Sequence, residues 1–213
     1  TYNETLNIST SGSAGNIILV QTGQDAGHNG QVIINGGSFA RNVGVQISNR
    51  TYIKISGKVG TSQNMRITAF ALAGVDFETA NHDMEMEFME VDHNGNTSGF
   101  GFSGQLVPIA SYNSSIHDCH IHDNYEDGIH ITQTVDTADS QYDSFLIYNN
   151  LIDNYRDDGC ETSIGVSFYS NEVGPRVASG GLGHPDGIQF YNSYTKVYKN
   201  YFHGGVITSD PNN

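Results

Sequence analysis

Residues 184–204 read HPDGIQFYNSYTKVYKNYFHG, and pieces of this stretch return upstream as YEDGIHI at 125–131, YNNLI at 148–152 and RDDGCET at 156–162. An apolar residue two places after an Asn-like position recurs in Asn150-Leu151-Ile152, Asn171-Glu172-Val173 and Asn200-Tyr201-Phe202. Cys119-His120-Ile121 and Met89-Glu90-Val91 fit with a different first residue. The anchors 91, 121, 152, 173 and 202 are separated by 30, 31, 21 and 29 residues. A second column follows each anchor: Gly99-Phe100, Gly128-Ile129, Gly159-Cys160, Gly187-Ile188 and Gly205-Val206. Short strand-like segments at this period, divided by Gly, Asn and Asp, constrain the chain to a solenoid in which each coil lies on its predecessor.

The fold class implied is all-β: a right-handed, single-stranded parallel β-helix, forming one domain over residues 1–213. Each strand pairs with its copy about 4.8 Å away, and only alternate residues face the narrow core, so the repeat is sparse but strict. The spacing predicts parallel pairing among 116–121, 147–152, 168–173 and 197–202, and separately among 127–131, 158–162 and 186–190. Asn tolerates left-handed turn geometry, and Asn150, Asn171 and Asn200 are expected to form a side-chain ladder, with Cys119 at the equivalent place one coil earlier. The segments NIILVQTG, GQVIING, GVQISNRTYIKISG and MRITAFAL extend the strand pattern towards the N-terminus, though the repeat is less regular there. A β-sandwich is the alternative, but it would not require register between residues 30 apart. Cys119 and Cys160 fall on different walls, so no disulfide is expected. Both ends read as cut from a longer helix, because strand-like residues begin at once and SDPNN follows GGVIT without a closing element.

Composition limits the partners. The chain has 213 residues, 9 Lys plus Arg, 23 Asp plus Glu and a formal charge of −14. Such a surface repels nucleic-acid phosphates and anionic membranes, and it repels anionic sugars unless a divalent cation intervenes. No apolar run is long enough to cross a bilayer, so membrane insertion is not expected. Tyr at 12 and Phe at 10 are too many for a disordered chain.

The opening TYNETLNISTSGSAGNIILVQTG…GQVIINGG, together with HPDGIQ and the Asn-x-apolar turns, resembles right-handed parallel β-helix proteins of the pectate-lyase superfamily. The opening is most similar to its chondroitinase B-type and alginate lyase-type members. The resemblance spans nearly the whole chain. It implies that the Asp-Gly-Ile-x-Ile strand and the loop before it line a substrate groove, and that Ca²⁺ neutralises a substrate carboxylate during lyase chemistry. The superfamily also includes hydrolases, adhesins and phage tailspikes.

Aligning the Gly column stacks Asp127, Asp158 and Asp186 in one outward row, and His130, Glu161 and Gln189 in the next. Ser98 and Gly101 occupy these rows one coil earlier, so the polar cluster is expected to stop there. Hard carboxylate oxygens from Asp127, Asp158, Glu161 and Asp186 suit Ca²⁺. The catalytic candidates are Asp158, Glu161, Asp186, His184, Arg156 and Arg176. Arg156, Arg176, His130 and His184 are the nearest bases, since no Lys falls on the row. His130, Gln189, Tyr155 and Tyr191 are candidates for holding substrate. A hydrolase would use the same carboxylates as a pair on neighbouring coils. Asp before Gly is also a common turn choice, and on that reading the Asp column only shapes a bend. His117, His120 and His122 alternate on another outward face, read as solvated in preference to zinc-binding. The function expected is an extracellular, carbohydrate-active β-helix that cleaves or binds a polysaccharide, most readily an acidic one by cation-assisted elimination. The alternative is a structural or adhesive segment at a cell or virion surface, with a homo-oligomer such as a trimer among its forms.

Overall fold

The computed structural model describes residues 1–96, 99–106, 112–133, 145–176, 186–191 and 194–204. Among these, the chain forms three parallel seven-stranded sheets and one two-stranded hairpin, with no helix. The first sheet contains Leu6–Ile8, Val43–Ser48, Ala73–Glu78, Phe100–Leu106, Ile129–Gln133, Cys160–Thr162 and Ile188–Phe190. The second contains Ile18–Gln21, Thr51–Ser56, His82–Glu87, Ser114–His117, Phe145–Tyr148, Ser167–Tyr169 and Lys196–Tyr198. The third contains Val32–Asn35, Met65–Thr68, Met89–Asp92, His120–His122, Leu151–Asp153, Glu172–Val173 and Tyr201–Phe202. The chain visits the sheets in turn, so it is a β-solenoid. A hairpin of Lys58–Val59 with Ser62–Gln63 and a bridge between Ser13 and Asn16 are antiparallel.

Register explains why the sequence repeat was so sparse. Ile34, Ile67, Val91, Ile121, Ile152, Val173 and Phe202 form one column of the third sheet, which contains all five sequence anchors, including the pair only 21 residues apart. Ile55, Met86, Ile116, Ile147 and Phe168 form the matching column of the second sheet. These side chains, Phe202 excepted, are in the buried core. Each fully buried apolar side chain contributes about 1.5–3 kcal/mol, and the intervening residues face outward because a strand alternates its faces.

The Asn ladder is present. Asn171 Oδ1 accepts hydrogen bonds from Asn150 N at 3.0 Å and Asn150 Nδ2 at 3.0 Å, while Asn171 Nδ2 donates to Ile147 O. Asn200 repeats this towards Asn171, and Asn150 Oδ1 accepts from Cys119 N. The left-handed residue is the one before each ladder position: Asp118 before Cys119, and Asn149, Ser170 and Lys199 before the three Asn residues, have φ of 53°, 55°, 55° and 56°. The Asn residues are therefore retained for hydrogen bonding, not for backbone freedom. A second ladder, not foreseen from the sequence, joins Asn94 to Asn124 at the turn from the third sheet to the first, again behind left-handed residues, His93 and Asp123.

The Gly column is also real, but one member differs from expectation. Phe102 pairs with Ile129, so Gly101 and not Gly99 stands beside Gly128. A Cβ on Gly128 would lie 2.7 Å from Gly159 O, and one on Gly159 would lie 2.5 Å from Gly187 O. These turns are too close for any side chain. Gly44 and Gly74 meet the same obstruction, which extends the column to the N-terminal coils. Ser98 and Gly205-Val206 lie outside the described residues. Both cysteines are free and buried, Cys119 at the turn between the second and third sheets and Cys160 in the first.

Asn171→Ala is expected to lower stability by at least about 2 kcal/mol, because it orphans the buried Asn150 N–H and the Ile147 carbonyl. Urea unfolding checks this; a loss below about 0.5 kcal/mol would show the ladder to be dispensable.

Candidate functional site

The corrected register changes the extent of the polar row on the first sheet. Asn7, Gln46, Asp76, Ser103, His130, Glu161 and Gln189 are consecutive partners along it. The cluster therefore does not end at the coil containing Gly101, but continues through Asp76 to the first coil.

His130 is the fifth of these seven positions. Its Nδ1 lies 2.8 Å from Asp127 Oδ2 and 3.5 Å from Glu161 Oε2. Phe100 stacks on its ring, with centroids 4.5 Å apart and planes 22° apart. Burial works against a charged imidazole, but Asp127, then Glu161 and Glu126, outweigh it and hold the pKa above the ordinary value. Asp127 fixes the tautomer by taking Nδ1–H, leaving Nε2 as the atom for exchange with a ligand.

Asp127 and Asp158 do not face outward as expected. They are 2% and 1% exposed. Asp127 Oδ1 accepts from Asp158 N at 2.8 Å, and Asp158 Oδ1 accepts from Asp186 N at 2.7 Å. The Asp column is a turn ladder, built like the Asn ladders but with carboxylates. Burial, and then the neighbouring Asp127, Asp157 and Glu161, push Asp158 up to about 7. Burial and the same carboxylate neighbourhood raise Asp157 to about 6, and burial with Glu78 raises Asp76 to about 6. Glu161 is raised mainly by burial.

The other candidates are dispersed. Arg156 lies over the Tyr125 ring at 4.5 Å and lines a separate small pocket with His93, Asp123 and Asn154. Tyr155 is a core residue, 5% exposed, so its phenol is not presented to a glycan. Burial pushes that phenol up to about 12, with the charge of Arg176 acting in the opposite direction. Tyr191 is 63% exposed, and its phenol is raised by local desolvation and by Glu161 and Asp158. Gln189 follows Glu161 in the row, and Asp186 is exposed at the end of the Asp ladder. His184, with most of the loop before it, lies outside the described residues.

The donor set does not match a Ca²⁺ cage, which takes six to eight oxygens. Asp127 uses one oxygen on a backbone N–H and the other on His130, Asp158 is closed into its turn, and an imidazole stands in the centre. Sequence reasoning missed Phe100, Glu126 and Asp76. The doublet Asp157-Asp158 was visible, but Phe100 and Asp76 needed the correct register of Gly101. No family model, no curated protein and no solved structure matches this chain.

The raised pKa of Asp158 gives a signed prediction. The folded state holds this proton more tightly than the unfolded state, so the stabilisation is complete below about pH 4. It is lost as pH rises through about 7. Asp158→Asn keeps an oxygen for the Asp186 N–H and removes the charge. The variant should melt higher than the wild type at pH 8 and close to it at pH 4, as thermal unfolding at both values will show. A variant that melts lower at pH 8 would contradict this account.

Proposed function

We propose that this β-solenoid is an extracellular polysaccharide-active protein that holds a glycan across the outer face of its first sheet and cleaves it by acid–base chemistry at His130. The observation that carries the reading is the convergence of Asp127, His130 and Glu161, whose ligand atoms lie within 4.8 Å of one another. They stand near the exposed ring of Tyr191, with His130 and Glu161 the fifth and sixth of the seven paired positions of the row. Exposed aromatic rings suit the apolar faces of sugars, while the row supplies donors and acceptors for hydroxyls. Extended chains match a surface whose polar groups repeat at the coil spacing.

Elimination is the favoured reaction class. It needs one oriented base to remove the proton beside a uronate carboxylate; the C–O bond to the leaving sugar then breaks, its electron pair going to the leaving oxygen, which takes up a proton from solvent, and a C=C bond remains. His130 Nε2 fits that role, with Asp127 as its orienting partner. Two-carboxylate hydrolysis is less favoured because Asp158, half of the Asp158/Asp186 pair, is closed into a turn. Membership of the pectate-lyase superfamily remains part of this proposal, as does cation help with an acidic sugar, most of whose ligands would have to come from the glycan itself.

A second reading, a non-enzymatic surface or adhesive β-helix, is favoured by one specific observation. The rings of His117, Tyr148, Tyr169 and Tyr198 stack in register on the second sheet at 4.5–5.0 Å. Such a stack stiffens a rod without any chemistry.

Incubation with alginate, pectate, chondroitin and neutral glycans, with and without Ca²⁺, separates the readings. Unsaturated ultraviolet-absorbing ends identify elimination, reducing ends alone identify hydrolysis, and neither supports the structural reading. His130→Ala should reduce cleavage at least about 100-fold. Since a base must be deprotonated, the wild-type rate should rise with pH through a value above that of an ordinary imidazole. Unchanged cleavage by His130→Ala would remove His130 from the mechanism.

A further inference from the structure

A second cluster lies on the third sheet, on a different wall from His130. His120 and His122 alternate on one strand, so both face outward from the same coil. Asp92 precedes His122 in register and Asp153 follows it, while Glu90 precedes His120. The contacts run diagonally across this grid. His120 Nε2 is 3.1 Å from Asp153 Oδ2, and His122 Nε2 is 3.4 Å from Glu90 Oε1. The two imidazoles are 4.0 Å apart between centroids.

His122 carries the decisive detail. Its Nδ1 is 2.7 Å from Asp123 Oδ2, which makes Nδ1 the protonated nitrogen and turns the Nε2 lone pair into the cluster. That Nε2 is shielded from solvent and has no hydrogen-bond partner, in a side chain only 13% exposed. A buried acceptor lone pair facing a carboxylate is unfavourable, and either a second ring proton or a metal ion between them removes the conflict. The carboxylates of Glu90, Asp92, Asp123 and Asp153 surround the histidines. Arg66 pairs with Asp92 and approaches Glu90 at 3.6 Å. His93 Nδ1 also contacts Asp92. One Arg for four carboxylates leaves a negative surplus at this wall.

We propose that His120, His122 and Asp153 bind a divalent transition metal of the Zn²⁺ class, with Glu90 as the adjoining carboxylate from the preceding coil. The ligand atoms of the three residues lie within 4.8 Å of one another. Tetrahedral Zn²⁺ with bonds of 2.0–2.1 Å places its ligands about 3.3 Å apart, close to the 3.1 and 3.4 Å diagonals already present. Two imidazoles and a carboxylate favour Zn²⁺, Ni²⁺ or Cu²⁺ over Ca²⁺ or Mg²⁺. Asp123 is the carboxylate behind a ligating histidine, a partner that fixes ring orientation at metal sites. A metal here joins neighbouring coils across the sheet, so it acts as a clamp on the solenoid.

The test uses the intact protein after chelator treatment. Titration with Zn²⁺ should show one equivalent bound and an increase in melting temperature that EDTA reverses. Co²⁺ should give visible bands of a tetrahedral nitrogen/oxygen site. The doubly substituted variant His120→Ala/His122→Ala should lose uptake and thermal shift, while His130→Ala should keep both, which separates this site from the cluster on the first sheet. Imidazole ¹⁵N spectra of the wild type provide a test independent of variant folding: Zn²⁺ should move the Nε2 resonances of His120 and His122 and leave those of His130 in place. Absence of stoichiometric uptake by the wild type, retention of uptake by the double variant, or Zn²⁺-induced shifts confined to other histidines would overturn the proposal.

Discussion

The fold depends on a hydrogen bond made at each corner, from the backbone N–H of one coil to a side-chain oxygen of the next. Strands within the sheets satisfy one another, but a turn breaks the ladder and leaves its N–H groups buried between coils. An unpaired buried N–H costs about 1–3 kcal/mol, and a solenoid repeats that cost at every coil. Asn171 supplies an oxygen to Asn150 N at the corner between the second and third sheets, Asn124 to Asn94 N and Asp127 to Asp158 N between the third and first, and Asn81 to Arg50 N between the first and second. These corner bonds differ in residue type but solve the same problem. The glycines follow from it, since backbones held this close leave no room for a Cβ on Gly128 or Gly159.

Much of the architecture was legible because it rests on short, identical columns. The anchors Val91, Ile121, Ile152, Val173 and Phe202 needed only their apolar character to be aligned, and their register is the one observed. Alignment slipped where the sequence offered two glycines, Gly99 and Gly101, at nearly the same place. A shift of two residues preserves the inward–outward alternation, so nothing in the pattern resisted it. Packing decides it: a Cβ on Gly101 would meet Gly128 O at 2.6 Å. That slip hid Asp76 and Phe100 from the candidate site.

The site itself was only partly legible. His130, Glu161 and Gln189 were placed correctly because strand parity fixes their face. Asp127 and Asp158 were expected outward, yet they sit where the strand is still leaving its turn and parity has not begun. Arg156 was expected near Asp158 because it is near in sequence. At a corner, two residues of separation are enough to change walls, and Arg156 packs on Tyr125 instead. The histidines of the third sheet were visible as an alternating pattern. What singles out His122, an enclosed Nε2 that faces Glu90 without hydrogen-bonding it, is a property of packing that no spacing reveals.

Asp127 shows how the fold and the proposed chemistry share one residue. Its Oδ1 holds the next coil through Asp158 N, while its Oδ2 orients the ring of His130. An Asn in its place would satisfy the corner equally well, as it does in the other two ladders. Asn could not also stabilise an imidazolium, because its second atom is a donor or a neutral oxygen. The carboxylates in this corner therefore exceed what turn formation requires. They also set the local potential: burial first, and then Asp127 and the other carboxylates nearby, push Asp158 up to about 7, while the imidazole of His130 is drawn towards its charged form. The Asn ladders impose no such field. At the turn from the third sheet to the first, an Asp ladder stands beside the Asn94–Asn124 ladder, and its carboxylates make a structural corner into a site with an oriented, titratable group beside a polar face.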